Sequence, residues 1–192
     1  MQAHPFITLC GCDADNKPVA THVPVLIEER DEKIFLQAHI MRKQKHAIAV
    51  EQNANVLAIF SGMHTYVSAS WYSDPQIGST WNYQAVHAHG ILKLKDDDFL
   101  HNLLTHLTER FENNPHSPSL VQRLDKDYVS DMMKAIVAFE IEITEIEHIF
   151  KLSQNRDEKS YENIIEHLQQ GDDEAKNIAL TMKERKDKVF KK

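Results

Sequence analysis

Apolar and polar positions follow a strand-like pattern through the first half of the chain and then switch to a helical period. Residues 6–10, Phe-Ile-Thr-Leu-Cys, form a short β-prone run, and residues 11–18 carry turn chemistry. Residues 19–28 read as a second strand. Pro24 within it predicts an edge or a bulge, because proline has no N–H to give to a ladder. A polar turn at 29–32 precedes a third strand at 33–39, and the three fit a meander. Residues 43–52 predict a short helix with Ala47, Ile48 and Val50 on its apolar face. The nearly all-apolar run 56–60 suits a strand buried on both faces, and 65–71 reads as another strand. Residues 72–79 have the composition of an exposed loop. Residues 80–95 form a long strand in which Gly90 marks a bend or bulge.

The switch comes near Asp96. Asp96, Asp97 and Asp98 supply a cap and first-turn acids for a helix with Phe99, Leu100, Leu103, Leu104 and Leu107 at helical spacing. A Pro-containing connector at 113–119 leads to a second helix at 125–136. Residues 137–150 alternate. Val137, Phe139, Ile141 and Ile143 face one way and Glu140, Glu142 and Thr144 the other, which predicts a strand with one wet face. Two closing helices, 155–170 and 172–186, flank Gly171 as a C-cap. The expected fold class is α+β, with six or seven mostly antiparallel strands closed into a barrel, peripheral helices and a helical C-terminus. Residues 1–156 are read as the barrel domain, with helices inserted at about 96–136. Residues 157–192 are read as a helical extension packed on it.

Composition narrows the class. The 192 residues are 42% hydrophobic and 27% charged, which fits an ordinary globular chain and excludes collagen or a mostly disordered protein. No run approaches the ~18 apolar residues of a membrane-spanning helix. The first residues lack a basic segment followed by an apolar one, so no signal peptide is expected. Cys10 and Cys12, two apart on one strand face, are poorly placed for a disulfide and weak evidence for zinc, which points to a reducing cytoplasm. The formal net charge of -7 argues against a basic coat for nucleic acid. Residues 183–192 nevertheless hold six cations against Glu184 and Asp187. That end is either a phosphate contact or a solvated helix terminus suited to the dipole.

Chemistry-bearing patterns are few. No Gly-rich phosphate loop and no nucleophile elbow occur. His87 and His89 share one strand face, as metal ligands or as hydrogen-bonded barrel histidines beside a cofactor. Arg42 and Lys43, with Lys45 and His46 behind them, stand between a strand and a helix start. They form either a phosphate cradle or a solvated charge cluster. Trp71-Tyr72 and Trp81-Asn82-Tyr83 bracket the polar loop and either wall a flat ring system or serve as core and interface. The donor-rich run 151–156, Lys-Leu-Ser-Gln-Asn-Arg, is an anion or cofactor-carbonyl site, or a helix start capped by Ser153 or Asn155.

Several segments together resemble one family. They are Thr21-His22-Val23-Pro24, His39-Ile40-Met41-Arg42, the run 60–72 ending Ser-Trp-Tyr, the run 80–90 opening Thr-Trp-Asn-Tyr, and Lys-Leu-Ser-Gln-Asn-Arg at 151–156. In this order they resemble the PaiB-type FMN-binding negative transcriptional regulators, whose split β-barrel is related to the pyridoxamine-phosphate-oxidase-like flavoproteins. Family members usually carry a further segment before the first strand, and usually read Ala-Asn-Pro where this chain has Lys43-Gln44-Lys45. The resemblance implies an FMN-binding split barrel acting as a homodimer with FMN at the interface. It implies that Arg42 pairs with the FMN phosphate and that Lys43 adds a second cation. Thr21, His22, Val23 and Pro24 would meet the isoalloxazine edge, His39 would sit near the ribityl chain, and Trp81, Asn82 and His87 would line the pocket. The implied role is transcriptional repression in the cytoplasm, with DNA contact through the basic C-terminal helix. The alternatives are an FMN-dependent oxidoreductase or flavin reductase, with His22, His87 or Tyr83 donating protons, and a haem-binding barrel using a histidine.

Overall fold

A computed structural model describes residues 1–191; Lys192, the last cation of the C-terminal run, lies outside the described residues. Seven strands form one sheet: β1 (Phe6–Cys12), β2 (Pro18–Pro24), β3 (Leu26–Arg30), β4 (Lys33–Met41), β5 (Asn55–Val67), β6 (Thr80–Leu94) and β7 (Ile136–Lys151). The helices are α1 (Lys45–Gln52), α2 (Asp97–Glu112), α3 (Lys126–Ala135), α4 (Glu158–Leu168) and α5 (Asp173–Phe190), with short 3-10 turns at Ala69–Trp71 and Val121–Arg123. The fold is α+β. The chain divides into two compact units, Met1–Phe60 with His87–Ile146, and Ser61–Val86 with Glu147–Lys192.

In the first unit, strand order produces closure. The order is β2-β1-β5-β6-β7-β4-β3, and the pairings β1–β2, β1–β5, β3–β4 and β4–β7 are antiparallel. The two outermost strands, β2 and β3, are consecutive in sequence with only Val25 between them. One residue spans at most ~3.6 Å, so the ends of the two outer strands meet at this corner and the sheet curls into a split barrel, in which β2 and β3 form no ladder with each other. Pro24 makes the break: it cannot donate to a ladder, and its pairing with Phe6 is the last between β1 and β2. Val25 is fully buried, and its N–H donates to the Pro5 carbonyl at 2.9 Å. Residues 19–28 are therefore two strands, with the corner at the position where proline predicts an irregularity.

The barrel interior is filled by alternating positions, including Ile7 and Leu9, Leu36, Ala38 and Ile40, and Val56, Ala58 and Phe60. Gly90 on β6 is required by close approach. A Cβ there would stand 2.5 Å from the Glu142 carbonyl oxygen and from Ile141 Cγ2. β7 departs from the expected wet face, since Ile136 to Ile141 are all buried. Leu100, Leu103, Leu104 and Leu107 of α2 and Val129 of α3 cover Ile136 and Ala138. Glu140, 6% exposed, lies in a polar pocket with Arg30 Nη2 at 2.7 Å, Lys95 Nζ at 3.1 Å and Gln37 Nε2 at 3.1 Å. Burial opposes its ionisation, but the hydrogen bonds from Arg30, Lys95 and Gln37 together outweigh that and hold its pKa below the usual value.

The second unit has its own core: Val67, Tyr72, Leu152, Tyr161, Ile164, Ile165, Leu168, Ile178 and Met182 among others. Tyr161 Oη donates to the Met182 carbonyl at 2.9 Å, which joins α4 to α5. Gly171 lies between these helices, but α4 ends with right-handed Gln169 as its cap. What glycine supplies at 171 is space, because a Cβ would come within 2.7 Å of Ala175 Cβ. The start of α4 is capped by Asp157, not by Ser153 or Asn155. Its carboxylate accepts from the Ser160 hydroxyl and N–H and from the Ser73 hydroxyl, which pulls its pKa down to about 2.

Candidate functional site

Eight of the ten sequence-derived site residues fall in the first unit, and Trp81 and Asn82 fall in the second. Thr21, His22, Val23 and Pro24 occupy β2 opposite Leu9, Thr8, Ile7 and Phe6. Val23 points into the core, while exposed His22 stacks on Phe6 at 6.1 Å between ring centroids. β2 is an outer strand, so its free backbone groups are available to a ligand edge.

His39 and Arg42 come from the end of β4, which is fixed by its register on β7: His39 opposite Ala138 and Met41 opposite Ile136. His39 is half-buried, and its Nδ1 is buried without a hydrogen-bond partner. Burial lowers its pKa, so the ring is neutral at pH 7. Arg42 is anchored twice at the end of α3. Its N–H donates to the Ala135 carbonyl at 2.9 Å, and its Nη2 donates to the Ile136 carbonyl at 2.8 Å. The same Nη2 lies 3.7 Å from Asp97. These contacts engage one nitrogen and leave the Nη1 and Nε donors to meet an anion. Lys43 and Lys45 are exposed beside it. The start of α1 has no side-chain cap at Gln44 and no acid in its first turn. Uncapped helical N–H groups next to three cations suit an anionic oxygen cluster.

α1 differs in detail from its expected face. Ile48 is exposed, and His46, Ala47, Ala49 and Val50 are buried, because α1 packs on β1 and β2. A cleft of about 450 Å³ lies there, lined in part by Lys17, Val19, Ala20, Lys45 and His46. Ala20 directly precedes Thr21. His46 Nε2 is a second buried nitrogen without a partner. The β2 segment, the β4–α1 turn and this cleft thus bring together cations, free edge groups and two neutral histidines. That donor set fits a phosphate joined to a polar, partly flat ligand.

Other candidates resolve differently. His87 and His89 are half-buried on β6, and the His89 carbonyl accepts from Thr144 Oγ1. Among the described residues no group of three or more His, Cys, Asp or Glu can hold a metal. Cys10 and Cys12 are free thiols, and burial pushes the Cys10 thiol pKa up. Trp81 is half-exposed, near Tyr66 at 5.9 Å and His64 at 6.0 Å between ring centroids. Asn82, expected to line a pocket, is fully buried in the second unit. Ser153 Oγ donates to its Oδ1 at 2.9 Å, and its Nδ2 reaches Met182 Sδ at 3.4 Å. The run 151–156 is tied to its own unit in the same way: Gln154 bonds the Leu152 N–H and the Phe150 carbonyl, and Arg156 lies over Tyr72. Asp97, the acid beside Arg42, has only the sequence signature of a helix-start acid. Its pairing depends on a contact across 55 residues that no local pattern reveals.

Comparison with known proteins gives a consistent result. The family model described as "Putative FMN-binding domain" matches residues 1–145. Protease synthase and sporulation protein PAI 2 of Bacillus subtilis is 36% identical over 186 residues, covering 96% of this chain and 89% of that protein. Among solved structures, an FAD and heme binding protein from Mycobacterium smegmatis superposes with a TM-score of 0.54 at 18% identity, over 77% of this chain and 65% of that one. A flavocytochrome from Azotobacter vinelandii gives 0.52 at 16% identity, over 82% and 67%. At those identities the likeness is one of fold.

Proposed function

Since the chain belongs to the FMN-binding domain family whose model spans residues 1–145, we propose that it is a PaiB-like flavoprotein that takes FMN specifically, works as a cytoplasmic homodimer and acts as a negative regulator of transcription. The observation that carries the FMN reading is the turn between β4 and α1. There Arg42, Lys43 and Lys45 surround an uncapped helix start, three to six residues after His39 with its orphaned Nδ1. Arg42 and the free N–H groups of α1 would hold the phosphate, with Lys43 as a second cation. His39 would give its unpaired nitrogen to the ribityl chain, and Thr21 to Pro24 would meet the ring edge from the outer strand. FMN, when bound, supplies electron transfer, and few protein side chains are needed for that. Exposed Tyr66, Trp81 and Tyr83 support a second copy as partner. Among the described residues no helix is long and apolar enough to cross a membrane.

The test is the absorbance spectrum of the protein purified without added cofactor, followed by FMN titration of wild type and Arg42→Ala. Removing a charge-assisted phosphate contact is expected to weaken FMN binding by roughly tenfold or more. Equal affinity in the two proteins overturns the assignment of Arg42, and no binding by wild type overturns the FMN reading. Sedimentation equilibrium reads the dimer.

The regulator reading places DNA contact on α5, where the cations are unequal. Lys186 is held by Glu158 at 3.1 Å and by Glu162, Lys191 by Asp187 at 2.8 Å, and Arg185 lies over Phe150. Lys183 and Lys188 are the cations on which a phosphate contact would rest. A DNA mobility shift that survives their joint replacement by Gln removes α5 from the reading. The oxidoreductase alternative is favoured by exposed His22 on the outer strand, a proton donor beside the proposed ring edge. Anaerobic bleaching of bound FMN by NADH or NADPH is its expected sign.

A further inference from the structure

We propose that the cleft between α2, the turn Val121–Arg123 and α3 is a binding site for a small amphipathic monocarboxylate, and that occupancy of this site bears on Arg42. The cleft has a volume of about 410 Å³, within the ordinary range for small-ligand pockets. Its floor is apolar: Val121, Leu124, Val129 and Met133. Lys126 and Lys134, at the two ends of α3, stand on its rim with Asp97.

The charge pattern selects the ligand. Asp97 already faces a cation, Arg42 at 3.7 Å, in a long pair whose side chains are 78% and 46% exposed. Lys134 is paired with Asp131 at 2.8 Å, with both side chains about three-quarters exposed, so water weakens that pair. Lys126 has no ion-pair partner among the described residues. Lys126 is thus left unmatched beside an apolar floor, on a lining that also carries the His101 imidazole. A single carboxylate joined to a ring or a branched chain satisfies both, whereas a bare phosphate leaves the floor unused and a neutral hydrocarbon leaves Lys126 unused.

Asp97 is also the link to the rest of the barrel. It lines the cleft and pairs with the Arg42 guanidinium, whose other anchors are the carbonyls of Ala135 and Ile136 at the end of α3. A ligand seated in the cleft therefore touches Asp97 and the helix whose C-terminal carbonyls anchor Arg42. This second half of the proposal rests on the reading of Arg42 as the flavin-phosphate arginine.

The experiment uses the full chain labelled with methyl-13C methionine, titrated with phenylacetate and, separately, with neutral phenylacetamide. Met133 is the one methionine of six that lines the cleft, and Met133→Leu assigns its signal. A saturable shift of the Met133 methyl with phenylacetate is expected. Phenylacetamide should give a far smaller shift, and Lys126→Gln, an exposed and fold-neutral change, should weaken phenylacetate by roughly fivefold or more. Absence of a Met133 shift, an equal response to the amide, or an unchanged affinity in Lys126→Gln overturns the site. FMN titration with and without saturating phenylacetate tests the link: linkage requires the two ligands to alter each other's affinity by the same factor. An unchanged FMN affinity removes the coupling and leaves the site. If FMN does not bind at all, it is the flavin reading that has failed, and the methionine titration of the flavin-free chain still decides the cleft.

Discussion

Replacing Glu140 by Gln keeps the shape of the side chain and removes its charge. The carboxylate receives Arg30 at 2.7 Å and Lys95 and Gln37 at 3.1 Å, while it is itself 6% exposed. Breaking a fully buried pair by removing one partner costs about 3–5 kcal/mol. Here the cations are not fully buried, since the Arg30 and Lys95 side chains are 40% and 29% exposed. They recover hydration when the charge is lost, so the expected cost falls to about 2–3 kcal/mol. For a chain of this length that corresponds to a drop in Tm of roughly 5–10 °C. Urea unfolding followed by circular dichroism at pH 7, at one fixed protein concentration, reads it directly. The pH dependence supplies a second check. The folded-state pKa of Glu140 lies below its ordinary value of 4.5. Its contribution is therefore present above that value and lost as pH falls through the folded pKa, so the gap between wild type and variant must close in acid. A cost under about 0.5 kcal/mol, small even for an exposed pair, or a gap that does not shrink below pH 4.5, would refute the claim that a charged network holds this position.

Three further outcomes follow from the packing. Gly90→Ala forces a methyl within 2.5 Å of a backbone oxygen that cannot move aside, and thermal melts should show a loss of about 2–3 kcal/mol. Asp157→Asn removes a carboxylate whose pKa is about 2 in the fold against 3.8 ordinarily. The variant should be less stable at neutral pH, with the difference fading between those two values as Tm is followed into acid; a difference constant with pH contradicts the assignment. Asn82→Ala leaves the buried Ser153 hydroxyl without its acceptor, and denaturant titration should show a loss of about 1–3 kcal/mol.

Strand and helix order could be read from local pattern because the period changes cleanly at Asp96. What could not be read depends on neighbours far away in sequence. β5 runs unbroken from Asn55 to Val67 where two strands were expected, since Gly62 and His64 sit in a ladder whose partner strand is not visible locally. Glu140 has the spacing of a solvent-facing residue, and it is buried among Arg30 of β3, Gln37 of β4 and Lys95 just beyond β6, next to the Ile136 and Ala138 positions that α2 and α3 cover. Ser153 and Asn155 are good caps by type, but Asp157 lies one residue before the helix and wins by bonding Ser160 twice. In the candidate site, Arg42 and the cationic turn were legible from composition. Asn82 was not separable from the surface aromatics Trp81 and Tyr83, because alternation along a strand says which residues share a face and not which face is covered.

The pairing of β4 with β7 has a consequence for the chain as it is made. Met41 must find Ile136, and at ~5–20 residues per second the ribosome needs roughly 5–20 s to deliver one after the other. During that interval the hairpins β1–β2 and β3–β4 can form, but β4 keeps one side open. An open strand edge is a template for any other extended chain. Nascent chains stalled before residue 136 are therefore the species most prone to cross-pairing, and release from that hazard comes in one step, when the last strand emerges and the barrel closes.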